Sequence, residues 1–369
     1  MPATLRWMIL CLFLTLAMLA LAACSDDGEG VVKVVYSDSS FFTTGNDDPA
    51  LVDSVRLVIF DQFWQDVKDD YAYISGKGAV WDAAREEWRP EVVRSLTYYQ
   101  YQNLLLGAMS VLEDENLALI DSTGEVHPAY EAKRKVNWRI DAWQATAEQL
   151  NYEVQSGWGW GIADTVGYFF FNSFDPESFD ETEFDVALES MRDLSAIMFD
   201  MRTAGEVVVS LTVPKLDAAG LQILSEPVIS RFVEDEVTVL EQHSNDSPDV
   251  DPIIITPRGE WSFTKPVILL IGQDTINEGE LFAAAMSQLP NVSLIGDSTA
   301  GLVGATQYYE LYEELDYTIP TIGYTYVDGD PLRGEGLMPV HLIRWTPDSF
   351  IDDDYVLISA FLWIDQFLE

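Results

Sequence analysis

The run Val267-Ile268-Leu269-Leu270-Ile271 sets the tightest limit on how this chain can fold. A strand with one wet face alternates polar and apolar residues. One with no polar position is covered on both faces, the habit of parallel strands sandwiched between helices. Further β-rich runs lie at Leu117 to Ile120, Val166 to Phe171, Ala196 to Met201, Val207 to Val213 and Val292 to Ile295. Helical patterns separate them at Glu183 to Leu194, Ala218 to Phe232 and Gly279 to Leu289. Strands alternating with helices predict an α/β core over residues 117–369.

Residues 49–116 are patterned differently. Val55, Leu57, Val58, Phe60, Phe63, Trp64 and Val67 fall on one helical stripe, as do Leu104, Leu105, Met109 and Leu112, so a helical cap is predicted ahead of the core. Within it, Asp82 to Trp88 reads as a short helix stopped by Pro90.

Met8 to Ala23 is an unbroken apolar run behind Arg6, short for a membrane span and closed by Leu21-Ala22-Ala23-Cys24. That is the pattern of an export signal over residues 1–23 with a lipobox, in which Cys24 becomes the lipid-bearing first mature residue. Residues 24–48 then form a small, acidic tether and leading segment. Two or more acyl chains anchor stably, since each buried methylene adds about 0.8 kcal/mol. Ser25 after the cysteine leans toward the outer membrane, and Asp26 clouds that reading. The other cysteine, Cys11, lies inside the signal, so the mature body is expected to have neither a disulfide nor a thiol site.

Acids outnumber bases 62 to 20, for a net charge of −42. A polyanion repels such a field, which excludes nucleic acid as a partner and disfavours anionic membrane surfaces. The acids are interleaved with aromatic and aliphatic residues, which argues against disorder and suits a saline medium that screens self-repulsion. Asn46-Asp47-Asp48 and Asp352-Asp353-Asp354 lack the spacing of a calcium loop and read as solvated surface. The three histidines, His127, His243 and His341, are scattered and form no zinc pattern, and no phosphate loop is present, so no cofactor is expected.

The strand at 267–271 leads through Gly272-Gln273-Asp274-Thr275-Ile276 into a helix opening near Asn277. Such a turn aims backbone N–H groups and the positive end of a helix dipole at one point. Downstream come Gly296-Asp297-Ser298-Thr299-Ala300-Gly301 and Gly334-Glu335-Gly336-Leu337-Met338-Pro339; upstream stand Leu112-Glu113-Asp114 and Asp200-Met201-Arg202. In this order the segments resemble the tail-specific, or C-terminal processing, serine peptidases. Their catalytic domain runs from a strand into Thr-x-Ser-x-x-Glu, a helix, Gly-x-x-Thr-x-Gly and a late Gly-x-x-Pro turn. The resemblance implies a layered core of the ClpP and crotonase type under a helical cap. About forty residues between Ile120 and Gly161 leave no room for the peptide-binding PDZ domain of many members.

Residue by residue, the resemblance also implies loss of the chemistry. The serine position, three before Glu280, is Asn277. The histidine base of some members corresponds to Asn116, and the lysine base of others to Leu302 after Gly301. The oxyanion Gly-Gly pair is replaced by Thr203-Ala204-Gly205-Glu206, and a glutamate there opposes a developing negative charge. The expectation is an inactive peptidase homologue that binds a peptide or protein segment near Asn277, Gly279, Asn116 and Gly205. Two alternatives stand beside it: a divergent serine endopeptidase using a displaced hydroxyl such as Thr275, Ser287, Ser298 or Thr299, and an envelope interaction protein without a cleft ligand. Trp158-Gly159-Trp160 and Tyr168-Phe169-Phe170-Phe171 read as core packing sooner than as a ligand cavity.

Overall fold

The computed structural model describes residues 49–94, 97–150, 152–174, 179–205, 223–244, 249–312 and 315–368. The signal, Cys24, the tether, Glu206 and the strand expected at Val207 to Val213 lie outside the described residues.

Helices α1 (Pro49–Asp70), α2 (Gly78–Val92) and α3 (Tyr98–Ser110) lead the described chain. Phe60, Phe63 and Val67 of α1 and Leu104, Leu105 and Met109 of α3 are buried, at the three- and four-residue spacings that put side chains on one helical face. Asp61 accepts from Arg89 Nε at 2.8 Å and Nη2 at 2.7 Å, and from Arg85 at 2.9 Å, which ties α1 to α2. Helix α3 opens with a capping box, Gln100 N–H on Thr97 Oγ1 and Thr97 N–H on Gln100 Oε1. Pro90 does not stop α2 as the sequence predicts. It sits in the last turn, where its missing N–H costs one terminal hydrogen bond, and the helix runs from Gly78 to Val92.

The cap rests on an antiparallel sheet made of β1 (Ala118–Asp121), β2 (Val126–Pro128), β7 (Val237–Ser244), β8 (Asp251–Ile255), β11 (Ala305–Tyr312) and β12 (Leu315–Thr325). Its order is β2-β1-β12-β7-β8, with β11 also on β12. Phe63 meets Tyr317 of β12 edge-on at 5.2 Å and Trp81 at 5.8 Å, so helices and sheet share one core.

The second sheet contains β3 (Glu153–Val154), β4 (Trp158–Ala163), β5 (Val166–Phe171), β6 (Ala196–Asp200), β9 (Val267–Ile271), β10 (Val292–Gly296) and β13 (His341–Leu342). The order is β13-β10-β9-β6-β5-β4-β3, parallel from β13 to β5 and antiparallel beyond. Every residue of β9 is buried, as its composition requires. One face, with Phe169, Phe199 and Leu269, packs under α5 (Glu181–Ser190), the short α6 (Glu226–Ile229), α7 (Asn277–Ser287) and the antiparallel sheet. The other, with Tyr168, Met198, Ile268 and Leu270, is covered by α4 (Ile140–Ala147) and α8 (Tyr355–Leu368). Trp158 stacks on Phe171 at 5.7 Å, so the aromatic stretch is core.

A buried ion triad locks the second face. Arg202, just past β6, is fully buried, with Nη2 at 2.7 Å from both Asp200 Oδ2 and Asp354 Oδ2. Nη1 donates to Asn137 O at 2.9 Å, while Tyr168 Oη donates to Asp200 at 3.0 Å. Asp354 also accepts Leu357 N–H at 3.0 Å at the start of α8. This corrects the reading of Asp352-Asp353-Asp354 as solvated throughout: Asp354 has no exposed surface, because its two oxygens accept from Nη1 and Nη2 of the desolvated guanidinium held by the sheet.

Candidate functional site

Strand β9 ends at Ile271, and the chain turns through Thr275 before α7 begins at Asn277. The turn is pinned from within. Thr275 Oγ1 donates to Met201 O at 2.7 Å and accepts Gly272 N–H at 3.0 Å, so this hydroxyl is fully buried and committed. Asn277 has φ +44°, a left-handed conformation that asparagine tolerates better than most residues. The chain thus makes a sharp strand-to-helix elbow with a carboxamide at its tip.

Asn116, between α3 and β1, meets that carboxamide directly. Asn116 Nδ2 donates to Asn277 Oδ1 at 2.8 Å, and Asn277 Nδ2 returns a bond to Asn116 Oδ1 at 3.1 Å. The two residues are only 1% and 7% exposed. Each neutral amide satisfies the other, and neither can act as a base or yield an oxygen nucleophile at neutral pH.

The remaining sequence-predicted positions converge on the same point. Gly205, φ +106°, lies so close to the elbow that a Cβ on it would stand 1.8 Å from Ile276 O, and a Cβ on Gly279 would stand 2.2 Å from Ala204 O. Ile276 N–H bonds Ala204 O at 3.0 Å, while Gly205 N–H donates to Asn172 O at 3.2 Å. Gly205, which the resemblance leads one to expect at the oxyanion position, has therefore already spent its N–H. Leu302 is buried; its carbonyl accepts Asn277 N–H at 2.9 Å and its N–H donates to Glu280 Oε2 at 2.6 Å.

Glu280 is the internal anchor of the elbow. Besides Leu302 it accepts from Gly301 N–H at 2.7 Å and from Thr299 Oγ1. Desolvation pushes its carboxyl up to about 7 against the pull of those three donors. Glu278 accepts both N–H and Oγ of Ser225, at 2.8 and 2.7 Å, and desolvation likewise pushes it up to about 7.

A support for Asn116 that the motif order did not reveal comes from the cap. Asp114 accepts Asn116 N–H at 2.9 Å, Tyr71 Oη at 2.9 Å and the guanidinium of Arg333 at 2.6 Å. Arg333 lies 4.4 Å over the Tyr73 ring and donates to Val303 O at 3.0 Å, where Tyr73 Oη also donates at 2.6 Å. Cap and core are thereby stitched together around Asn277. The sequence signal lay in Asp114 and its motif; Arg333 and Tyr73 carried none.

Three of the four candidate displaced hydroxyls, on Thr275, Ser287 and Thr299, are engaged elsewhere. Ser287 Oγ donates to Ala284 O at 2.6 Å along its own helix, and Thr299 is bound to Glu280. Ser298 follows β10, its N–H on Asp297 at 2.9 Å. His127 pairs with Asp121 at 3.0 Å on the β1–β2 hairpin, His341 stacks on Trp363 at 5.4 Å, and His243 meets the Tyr73 ring edge-on at 6.2 Å. Among the described residues, one group of metal-type ligands is gathered, Asp121, Glu125 and His127, and it lies on that hairpin.

Comparison with known proteins agrees with this geometry. The family model of peptidase family S41 matches residues 165–341, and that of the tricorn protease C1 domain matches residues 55–109. A candidate peptidase from Parabacteroides merdae is 19% identical with a TM-score of 0.70, over 86% of this chain and 97% of its own. A lipoprotein from Streptococcus agalactiae is 12% identical with a TM-score of 0.55, over 84% of this chain and 96% of its own. The photosystem II D1 C-terminal processing protease is 14% identical with a TM-score of 0.51, over 82% and 96%. At these identities the likeness speaks for the fold alone. No curated protein matches the chain significantly in sequence. With the tricorn-type model on the helices before it, the α/β core carries a match to the peptidase family S41 domain over residues 165–341.

Proposed function

We propose that this protein is a lipid-anchored envelope member of the family that has lost hydrolysis and uses the peptidase cleft to bind a polypeptide segment. The reciprocal Asn116–Asn277 amide pair carries the proposal: it occupies the positions of base and nucleophile with two groups that exchange hydrogen bonds and no proton. Acyl transfer needs a nucleophile, a proton acceptor and a free oxyanion donor. Gly205, which corresponds to one such donor, is bonded to Asn172.

Support for binding comes from the segment 130–139, which has no regular structure and passes beside the elbow. Ala132 N–H bonds Glu115, Lys135 N–H bonds Gln273 at 2.6 Å and Asn137 Nδ2 bonds Ile271 O at 3.1 Å. It carries Lys133, Arg134, Lys135 and Arg139 in a chain with only 20 basic residues; Arg134 pairs with Glu115 and Arg139 with Asp141, so the exposed Lys133 and Lys135 supply the charge that faces solvent. Local positive charge on an anionic protein favours an acidic or carboxylate-bearing segment. Anchoring through Cys24 and an outer-membrane address belong to the same proposal.

A photo-crosslinker at Lys133 tests it in the native envelope. Capture of a polypeptide there, and not from Val186 on α5, is the expected result, with no fluorophosphonate labelling of the wild-type chain. Labelling that is lost on Ser298→Ala would replace the proposal by a divergent peptidase. A second reading, a scaffold without a cleft ligand, is favoured by the depth at which Asn116 covers Asn277; equal capture at both positions would select it.

A further inference from the structure

The β1–β2 hairpin gathers three side chains that the proposed function leaves unused. Its antiparallel register sets Leu119 opposite His127 and Ile120 opposite Val126. Asp121 then faces Glu125, whose carbonyl accepts Asp121 N–H at 3.0 Å. Residues two apart on a strand share a face, and directly opposed residues share one too. The pleat therefore brings Asp121, Glu125 and His127 to one side of the hairpin, and one ligand atom from each lies within 4.8 Å of the others.

The aspartate is oriented in advance. Asp121 Oδ1 accepts Thr123 N–H at 2.8 Å, Thr123 Oγ1 at 2.6 Å and Glu125 N–H at 3.1 Å. That leaves Oδ2 facing His127 Nε2 at 3.0 Å. Ligand atoms at right angles around an ion with bonds of about 2.1 Å stand about 3 Å apart. Outer hydrogen bonds that fix a ligating carboxylate are the usual companion of a built site. His127 and Asp121 keep 29% and 18% of their side-chain surface exposed, so an ion can enter.

We propose that Asp121, Glu125 and His127 bind one divalent transition-metal ion of the zinc, nickel or cobalt type. One imidazole with two carboxylates favours these ions over calcium and magnesium, which take oxygen ligands. Three protein ligands leave room for water or for a donor group from a partner.

The test uses the mature chain, stripped with EDTA and titrated with Zn2+ by calorimetry in excess Ca2+, which saturates the acidic surface. One equivalent is expected to bind, with affinity falling at least about tenfold in His127→Ala and in Asp121→Asn, and unchanged in Asp328→Asn. In the wild-type chain, ring NMR follows the three histidines directly: His127 shifts at one equivalent while His243 and His341 hold still. Zinc uptake that Ca2+ abolishes, an affinity indifferent to His127→Ala, or an unshifted His127 ring overturns the proposal.

Discussion

Just past β6 the chain buries a guanidinium between two carboxylates; at the turn after the neighbouring β9 it buries two neutral amides. The strands are adjacent and parallel, with Asp200 in register with Leu270, so both sites stand at the same end of one sheet. The ion triad is fixed by hydrogen bonds from Tyr168 and Leu357 to its carboxylates and from its guanidinium to Asn137 O. At the elbow the paired side chains are neutral, and the buried carboxyls of Asp114 and Glu280 beside them take backbone N–H groups. Buried acids thus fasten elements together at both places, directly to a cation at the first and to backbone donors at the second.

The contrast can be broken most forcefully at Arg202. Replacing it with alanine leaves two carboxylates without a counter-ion, and a loss of about 4 kcal/mol is expected in urea denaturation. Indifference to Arg202→Ala would mean that the triad fastens nothing. Glu280→Ala comes next. It strands the donors of Thr299, Gly301 and Leu302, for an expected loss of about 3 kcal/mol and a loosened elbow.

The same glutamates set a pH dependence. Glu278 and Glu280 have an ordinary value of 4.5 and are pushed up to about 7 in the native protein. Between those values the folded chain holds protons that the unfolded chain has released. Their contribution is therefore complete below about 4.5 and is lost as pH rises through about 7. Denaturation midpoints measured across that window are expected to fall with pH, and the slope is expected to shrink in Glu280→Gln.

Asn116→Ala is smaller, about 1.5 kcal/mol, because one amide keeps some access to other partners. In a double-mutant cycle with Asn277→Ala, a coupling near 1 kcal/mol is expected; strict additivity would mean that the amide pair is incidental. Smallest of all is the activity of Asn277→Ser, for which no hydrolysis of casein above the wild-type background is expected. A hydroxyl restored at the elbow still faces Asn116, an amide that takes up no proton at neutral pH. Measurable turnover would expose a proton acceptor that the elbow keeps hidden.

Much of this architecture was legible in the sequence because it follows from local pattern. The unbroken apolar run at 267–271 marked a strand covered on both faces, and the stripes on α1 and α3 marked the cap. The motif order brought Asn277, Asn116, Gly205, Gly279 and Leu302 to one site before any coordinates were needed. The antiparallel sheet was not legible. Its central strand β12 carries Pro320, which reads as a break, yet the irregularity in its pairing with β11 falls at that proline, where a donor is missing. Contacts across long separations also escaped. The grip of Arg333 on Asp114 joins cap to core with no periodicity to announce it.

Asp354 lies 152 positions past Arg202, yet its carboxylate takes two of that guanidinium's buried donors. A chain made from its N-terminus presents β6 and its guanidinium long before this second acceptor arrives. Until then N–H groups meant for burial lack their partner, so the inner face of the sheet is finished only once α8 has docked. A copy cut before Asp354 would keep that defect permanently, and proteolytic surveillance would have a ready means of telling it from an intact molecule.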